Sequence, residues 1–155
     1  MNSLQKELEQ RIMESILNKG LDVSLKKIRF KKKWGFEYWP VNSKEYCTKY
    51  LLMDIQGQCS YHFHLNKDEL FTIFKGKVVM IVYDKNKKGF NEWVMLPGNQ
   101  QRIIQKRIHS FIALEDSIII ESSTHHEDED SYRIRGKDSR RIPDEEFNKL
   151  SEKYY

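Results

Sequence analysis

A chain of 155 residues, 39% of them hydrophobic, can bury one core, and it has no run near the roughly 18 consecutive apolar residues of a membrane span. Its 27 basic and 23 acidic residues leave a net charge of +4, spread out except at Lys26-Lys27 and Lys31-Lys32-Lys33, and no nucleic-acid-binding module accompanies them. Cys47 and Cys59 are too few for a disulfide framework and are read as reduced core or strand residues.

From Ser3 to Asn18 the residues Leu4, Leu8, Ile12, Ile16 and Leu17 recur near helical spacing, with Gly20 as a stop. This predicts an amphipathic N-terminal helix, residues 1–20, whose apolar stripe covers the rest of the molecule or meets a partner subunit. The segment lacks the apolar block of a signal peptide, so the chain is expected in the cytoplasm. Short runs rich in Val, Ile, Tyr and Phe follow, broken by turn residues, as an all-β barrel or sandwich requires. The predicted strands are Tyr46–Ile55, Leu70–Phe74, Lys77–Tyr83, Asn91–Leu96, Arg102–Gln105, His109–Leu114 and Ser117–Ser122. Thr124 to Ser131 (THHEDEDS) is read as a polar surface loop, with His125 and His126 beside its acids. Pro143 and the acids Asp144, Glu145 and Glu146 predict a terminal helix, residues 143–155, because Pro suits a helix start and acids suit its positive end. The domain between, residues 21–142, is the barrel.

The stretch Gly57 to Gly76 (GQCSYHFHLNKDELFTIFKG) holds the chemistry. His62 and His64 are two apart, so on an extended strand they project from the same face. Glu69 follows after a polar bend, and His109 opens a later strand that hairpin geometry can return to the pair. Imidazoles with one carboxylate suit one divalent transition metal, whether Zn, Fe, Mn, Ni or Co, and leave positions open for water or substrate.

The spacing His-x-His-x4-Glu-x6-Gly, His62 to Gly76, resembles the first motif of the cupin superfamily. Gly57 lies one residue closer to the histidines than is usual there. Pro97-Gly98 and then His109-Ser110-Phe111 resemble the second motif. The likeness covers about two thirds of the chain, and within cupins it is closest to the cupin domain of type II mannose-6-phosphate isomerases and their stand-alone relatives. Lys33-Trp34-Gly35-Phe36-Glu37 resembles the opening segment of that group, and Leu114 to Thr124 its closing strand. Glu129 to Ile134 resembles its acidic loop ending in an arginine, here Arg133. Lys67 stands where those isomerases commonly carry an arginine.

The resemblance implies an all-β fold, a cupin jelly-roll β-barrel with short N- and C-terminal helices. It also implies a metal site of His62, His64, Glu69 and His109. The function implied is aldose–ketose isomerisation of a phosphorylated sugar in carbohydrate or glycan-precursor metabolism. Glu69 and Lys67 are then the catalytic candidates, and Lys67, Arg133 and Lys33 the substrate-binding ones. An arginine-to-lysine change at Lys67 keeps the charge and loses the bidentate fork. Relatives usually place a Pro-Gly-x-Pro-like turn before the second-motif histidine, where this chain reads Gln105-Lys106-Arg107-Ile108. Lysine is strained in left-handed geometry, so a rebuilt turn is expected. Two other functions stay open: a metal-containing cupin that binds a sugar or nucleotide sugar without turnover, and an Fe(II) dioxygenase. The partner expected is a small molecule, not nucleic acid or a membrane. An exposed sheet edge and the amphipathic helix would suit a homodimer.

Overall fold

A computed structural model describes residues 29–155 and, before them, Ser3, Lys6, Glu7, Leu8, Gln10, Arg11 and Glu14. Those seven are helical, and Leu8 packs beside Tyr38, Leu52 and Ile118. The remainder of the N-terminal helix expected over Ser3–Asn18 lies outside the described residues. Among the described residues no helix is long and apolar enough to cross a membrane.

Two antiparallel sheets share one core. The first runs in the order β1 (Arg29–Lys32), β2 (Gly35–Asn42), β3 (Cys47–Met53), β11 (Ser117–Ser123), β6 (Glu69–Lys75) and β9 (Gln100–Ile103). At the centre of the second, β10 (His109–Ala113) pairs on one side with β7 (Val78–Asp84), which pairs with β8 (Gly89–Met95). On its other side β10 pairs with two short strands, β4 (Gly57–Gln58) and β5 (His62–Phe63). These are flanked by β13 (Arg140–Arg141) and β12 (Tyr132–Arg133) respectively.

Alternation explains which side chains meet between the sheets. Leu51 and Met53 on β3, Phe71 and Ile73 on β6 and Ile119 on β11 pack against Val78, Met80 and Val82 on β7 and Phe111 and Ala113 on β10. The β7 sequence VVMIV is apolar at every position because both of its faces are covered. Val79 and Ile81 turn outward, where Phe147, Leu150 and Tyr154 of the C-terminal helix (Asp144–Tyr154) pack on them. That helix begins where its sequence predicts, with Pro143 in extended geometry just before it and three acids in its first turn.

All seven predicted strands are present, with ends shifted by no more than two residues. The hairpin β1–β2 and the short strands β4, β5, β12 and β13 are additional to them. Gly76, the last residue of the first motif, closes the turn between β6 and β7 at φ +88°. A Cβ there would lie 2.2 Å from Ser117 Oγ and 2.8 Å from the Asp116 carbonyl oxygen. Gly76→Ala should therefore cost about 2–3 kcal/mol through backbone strain and overpacking, read as a lower midpoint in urea unfolding with an unchanged slope. A loss under about 0.5 kcal/mol would show that the turn relaxes freely.

Candidate metal centre

His62 and His109 are direct cross-strand partners on β5 and β10. That pairing brings residues 47 positions apart in sequence to a ring separation of 4.4 Å. His64, two residues beyond His62, presents its ring 5.1 Å from that of His62 and 6.2 Å from that of His109. One ring nitrogen from each of the three lies within 4.8 Å of the others.

The outer nitrogens fix which ones these are. His62 Nδ1 meets the Ser60 carbonyl at 2.8 Å, His64 Nδ1 the Asp130 carbonyl at 2.8 Å, and His109 Nδ1 the Arg107 carbonyl at 3.0 Å. A carbonyl only accepts, so every Nδ1 donates and every Nε2 of a neutral ring is left with its lone pair. Burial holds the imidazoles of His62 and His109 below their ordinary pKa, which keeps both rings neutral.

Glu69 stands beside the trio at the start of β6. Its Oε1 is 3.4 Å from His64 Nε2 and its Oε2 is 3.3 Å from His109 Nε2. Glu69 Oε2 and His109 Nε2 are both buried without a hydrogen-bond partner among the described residues. Two acceptors facing each other with no proton between them are unfavourable in a dry site, and a cation resolves the conflict. Burial disfavours the Glu69 carboxylate, yet its pKa is held well below the usual range, and with the His109 ring neutral the charge that favours this is the Lys67 ammonium 2.9 Å away. The donor set therefore fits a divalent ion held by three imidazole nitrogens, with a carboxylate alongside.

Correct placement of His109 depends on the turn before it. Contrary to the expectation of a rebuilt turn, Lys106 itself takes φ +64°, the left-handed geometry that glycine would occupy more cheaply. The Lys106 amide donates to the His64 carbonyl at 2.6 Å, so the turn is tied directly to one of the clustered histidines. The loop Thr124 to Ser131 is held in the same way. Asp130 is buried, and its carboxylate accepts from the amides of Leu65, Asn66 and Lys67, while its carbonyl orients His64.

His62 and His64, with Glu69, line a cavity of about 310 Å³ between the sheets, while His109 is fully buried and outside that lining. Lys67 is 3% exposed, not a solvated loop lysine. It donates to Glu69 Oε1 at 2.9 Å and makes a close ion pair with Glu121. Burial opposes its charge, but Glu121 and Glu69 together raise its pKa above the ordinary value. Arg133 lines the cavity from β12, next to His62 in register, and makes no ion pair among the described residues. Lys33 is exposed on the β1–β2 turn and is not part of the lining. Lys32 lines the cavity instead and approaches Glu37 at 3.5 Å.

Among the lining residues absent from the sequence-based site are Lys49, Glu121, Glu37 and His126. The first two carried a signal. In CTKYLLM the inward positions are Cys47, Lys49, Leu51 and Met53, and in SIIIESS Glu121 shares a face with Ile119. A charge in the apolar phase of a buried strand marks a polar pocket.

No protein-family model matches the chain, and no curated protein matches it. Solved structures do. KdgF from Halomonas sp. superposes with a TM-score of 0.54 at 16% identity, over 61% of this chain and 81% of that one. CapF, solved with the inhibitor 3-isopropenyl-tropolone, gives a TM-score of 0.61 at 16% identity, over 68% of this chain and 33% of its own. Oxalate decarboxylase from Bacillus subtilis at pH 4.6 gives 0.62 at 14% identity, over 72% and 31%. This chain spans about a third of the length of the CapF and oxalate decarboxylase chains. With these neighbours, the paired antiparallel sheets are a cupin jelly roll. Within that fold the chain carries a three-histidine cluster able to hold a metal ion.

Proposed function

We propose that this is a metal-dependent cupin that interconverts the aldose and ketose forms of a phosphorylated sugar, of the mannose 6-phosphate type. One divalent ion would be held by His62, His64 and His109 with Glu69. The observation that carries the reading is the convergence of three acceptor nitrogens and an unpartnered carboxylate oxygen beside a small polar cavity that His62, His64 and Glu69 line. Its volume of about 310 Å³ lies at the lower end of the range for small-molecule sites. Such an ion supplies Lewis-acid stabilisation of a developing oxyanion.

The chain supplies the rest. Arg133, uncommitted at the cavity wall, suits a phosphate, to which guanidinium can donate two parallel bonds. Lys67 keeps Glu69 and Glu121 ionised. Glu69 Oε2, which carries no hydrogen bond, moves the proton between neighbouring carbons wherever the carboxylate is not taken up as a ligand.

The test is turnover of mannose 6-phosphate by protein loaded in turn with Zn, Fe, Mn, Ni or Co. Ketose product should form with at least one ion, vanish in His62→Ala, and show a KM raised about tenfold in Arg133→Ala, the loss expected for one charged contact. Absence of product with every ion would sink the isomerase reading. A second reading, binding without turnover, is favoured by the double commitment of Lys67 to Glu69 and Glu121, which leaves it little capacity for a substrate. Thermal stabilisation by the sugar phosphate with no product would establish that reading instead.

A further inference from the structure

Beyond the metal centre, two polar groups that line the same cavity, Lys49 and His126, are incompletely satisfied. Lys49 is 3% exposed, yet among the described residues its ammonium has only a long ion pair and no hydrogen bond. The nearest carboxylate oxygen, Glu121 Oε1, is 4.0 Å away and is already engaged by Lys67. Lys49 Nζ rests instead over the indole of Trp39, 4.1 Å from the ring centre. His126 meets the same indole edge-on, with ring centres 4.7 Å apart, and its side chain is 9% exposed. Its Nε2 lies 3.1 Å from Asp128 Oδ1. The carboxylate only accepts, so Nε2 carries the proton and Nδ1 is an acceptor. That Nδ1 is buried without a hydrogen-bond partner among the described residues.

The position of His126 is built, not accidental. Its amide donates to Asn42 Oδ1 at 2.9 Å and its carbonyl accepts from Asn42 Nδ2 at 3.0 Å, which clamps the loop onto β2. Burial, with Lys49 and Lys67 next, lowers its pKa to about 4, consistent with a neutral ring.

A buried donor and a buried acceptor incompletely satisfied in one cavity, both in contact with Trp39, each cost free energy, and one group bridging them would satisfy both. We infer that Lys49 Nζ and His126 Nδ1 form a hydroxyl subsite, in which a ligand hydroxyl accepts from the lysine and donates to the imidazole. Asp128 is its positioning residue, because it fixes the tautomer. The ligand class is a polyhydroxylated small molecule anchored at the metal centre and reaching this pole with an alcohol. A ketone or ether would satisfy the lysine alone, and a carboxylate would repel the imidazole lone pair. The inference deepens the sugar-phosphate reading and rests on it for the anchoring end only.

The deciding experiment is a crystal structure of the metal-loaded full chain soaked in glycerol, beside affinities for mannose 6-phosphate. A glycerol hydroxyl or an ordered water within hydrogen-bond distance of both Lys49 Nζ and His126 Nδ1 is the expected result. Closure of the gap by a direct Lys49–His126 or Lys49–Glu121 hydrogen bond, with no guest, would overturn the subsite. In solution, Lys49→Met and His126→Phe should each bind mannose 6-phosphate about tenfold more weakly, with metal content retained. The double variant should be barely weaker than either single one, because both atoms serve one hydroxyl. Additive losses would refute the shared subsite. If the wild type does not bind mannose 6-phosphate, the substrate reading fails while the crystal structure still decides the subsite.

Discussion

Lys67→Met should destabilise the fold by about 3–5 kcal/mol, the scale expected when one partner of a buried ion pair is removed. Four buried charges balance along one wall: Lys49, Glu121, Lys67 and Glu69, each 5% exposed or less. Lys67 touches both carboxylates, so its loss strands a net negative charge that Lys49, 4.0 Å from Glu121, offsets only in part. The signature lies in the pH dependence. In the wild type, burial pushes Glu121 upward, but Lys67 and Lys49 more than reverse this and hold its pKa below the ordinary value. A depressed carboxylate contributes stability above its unfolded pKa, near 4.5, and that contribution is lost as pH falls through the folded value. Without Lys67, burial dominates and Glu121 binds its proton more tightly folded than unfolded. The gap between wild type and variant should then narrow as pH falls from neutral toward about 4.5. Urea unfolding at several pH values measures it, and a gap that widens on acidification would refute the assignment. Lys67→Met/Glu121→Gln should recover part of the loss at neutral pH.

The legible part of the fold was the part whose pattern follows from one dry face. Strands β3, β6, β7, β10 and β11 read directly, because apolar side chains such as Leu51, Phe71, Val78, Phe111 and Ile119 dominate their inward phase. The β1–β2 hairpin was hidden for two reasons. Its first strand is the basic run before Trp34, and its second contains Pro40 at an irregularity in pairing between Tyr38 and Val41. Lys32 is nonetheless inward, its stem along the cavity and its ammonium toward Glu37, which the composition of the run conceals. Strands β4, β5, β12 and β13 are two residues each, too short for any period to show.

The candidate site divides along the same line. Local spacing revealed His62, His64 and Glu69, since i, i+2 on one strand needs no tertiary knowledge. His109 followed from the motif likeness, and β10 pairing places it opposite His62. His126 sits in the most hydrophilic stretch of the chain, where composition points to solvent. Only the Asn42 clamp, 84 residues away, turns it inward. Lys33 and Lys32 show the converse limit: alternation decides between neighbours, and the phase of a four-residue strand is set by its partner.

Saturating wild-type apoprotein with its preferred divalent ion should raise stability by about 4 kcal/mol at 1,000 times Kd, or roughly 8–16 °C in Tm for a chain of this size. His109→Ala should abolish that rise. His109 is fully buried, and its Nε2 is one of the acceptors that only a cation satisfies, so its loss removes a ligand and also the conflict with Glu69. The apo variant should thus lose less stability than the holo variant, which separates loss of metal from loss of packing. Glu69→Gln tests the carboxylate independently: it keeps the shape while removing the charge that the ion and Lys67 both face. Metal retention also has a direction in pH. Ligand imidazoles must be neutral, and burial keeps His62 and His109 neutral below the ordinary range, so the ion should stay bound below about pH 6.5, where exposed histidines would release it. Scanning calorimetry with and without a chelator, alongside metal analysis by mass spectrometry, reads all of these outcomes. A wild-type Tm unmoved by Zn, Fe, Mn, Ni and Co alike would mean that the three converging nitrogens serve a ligand other than a metal.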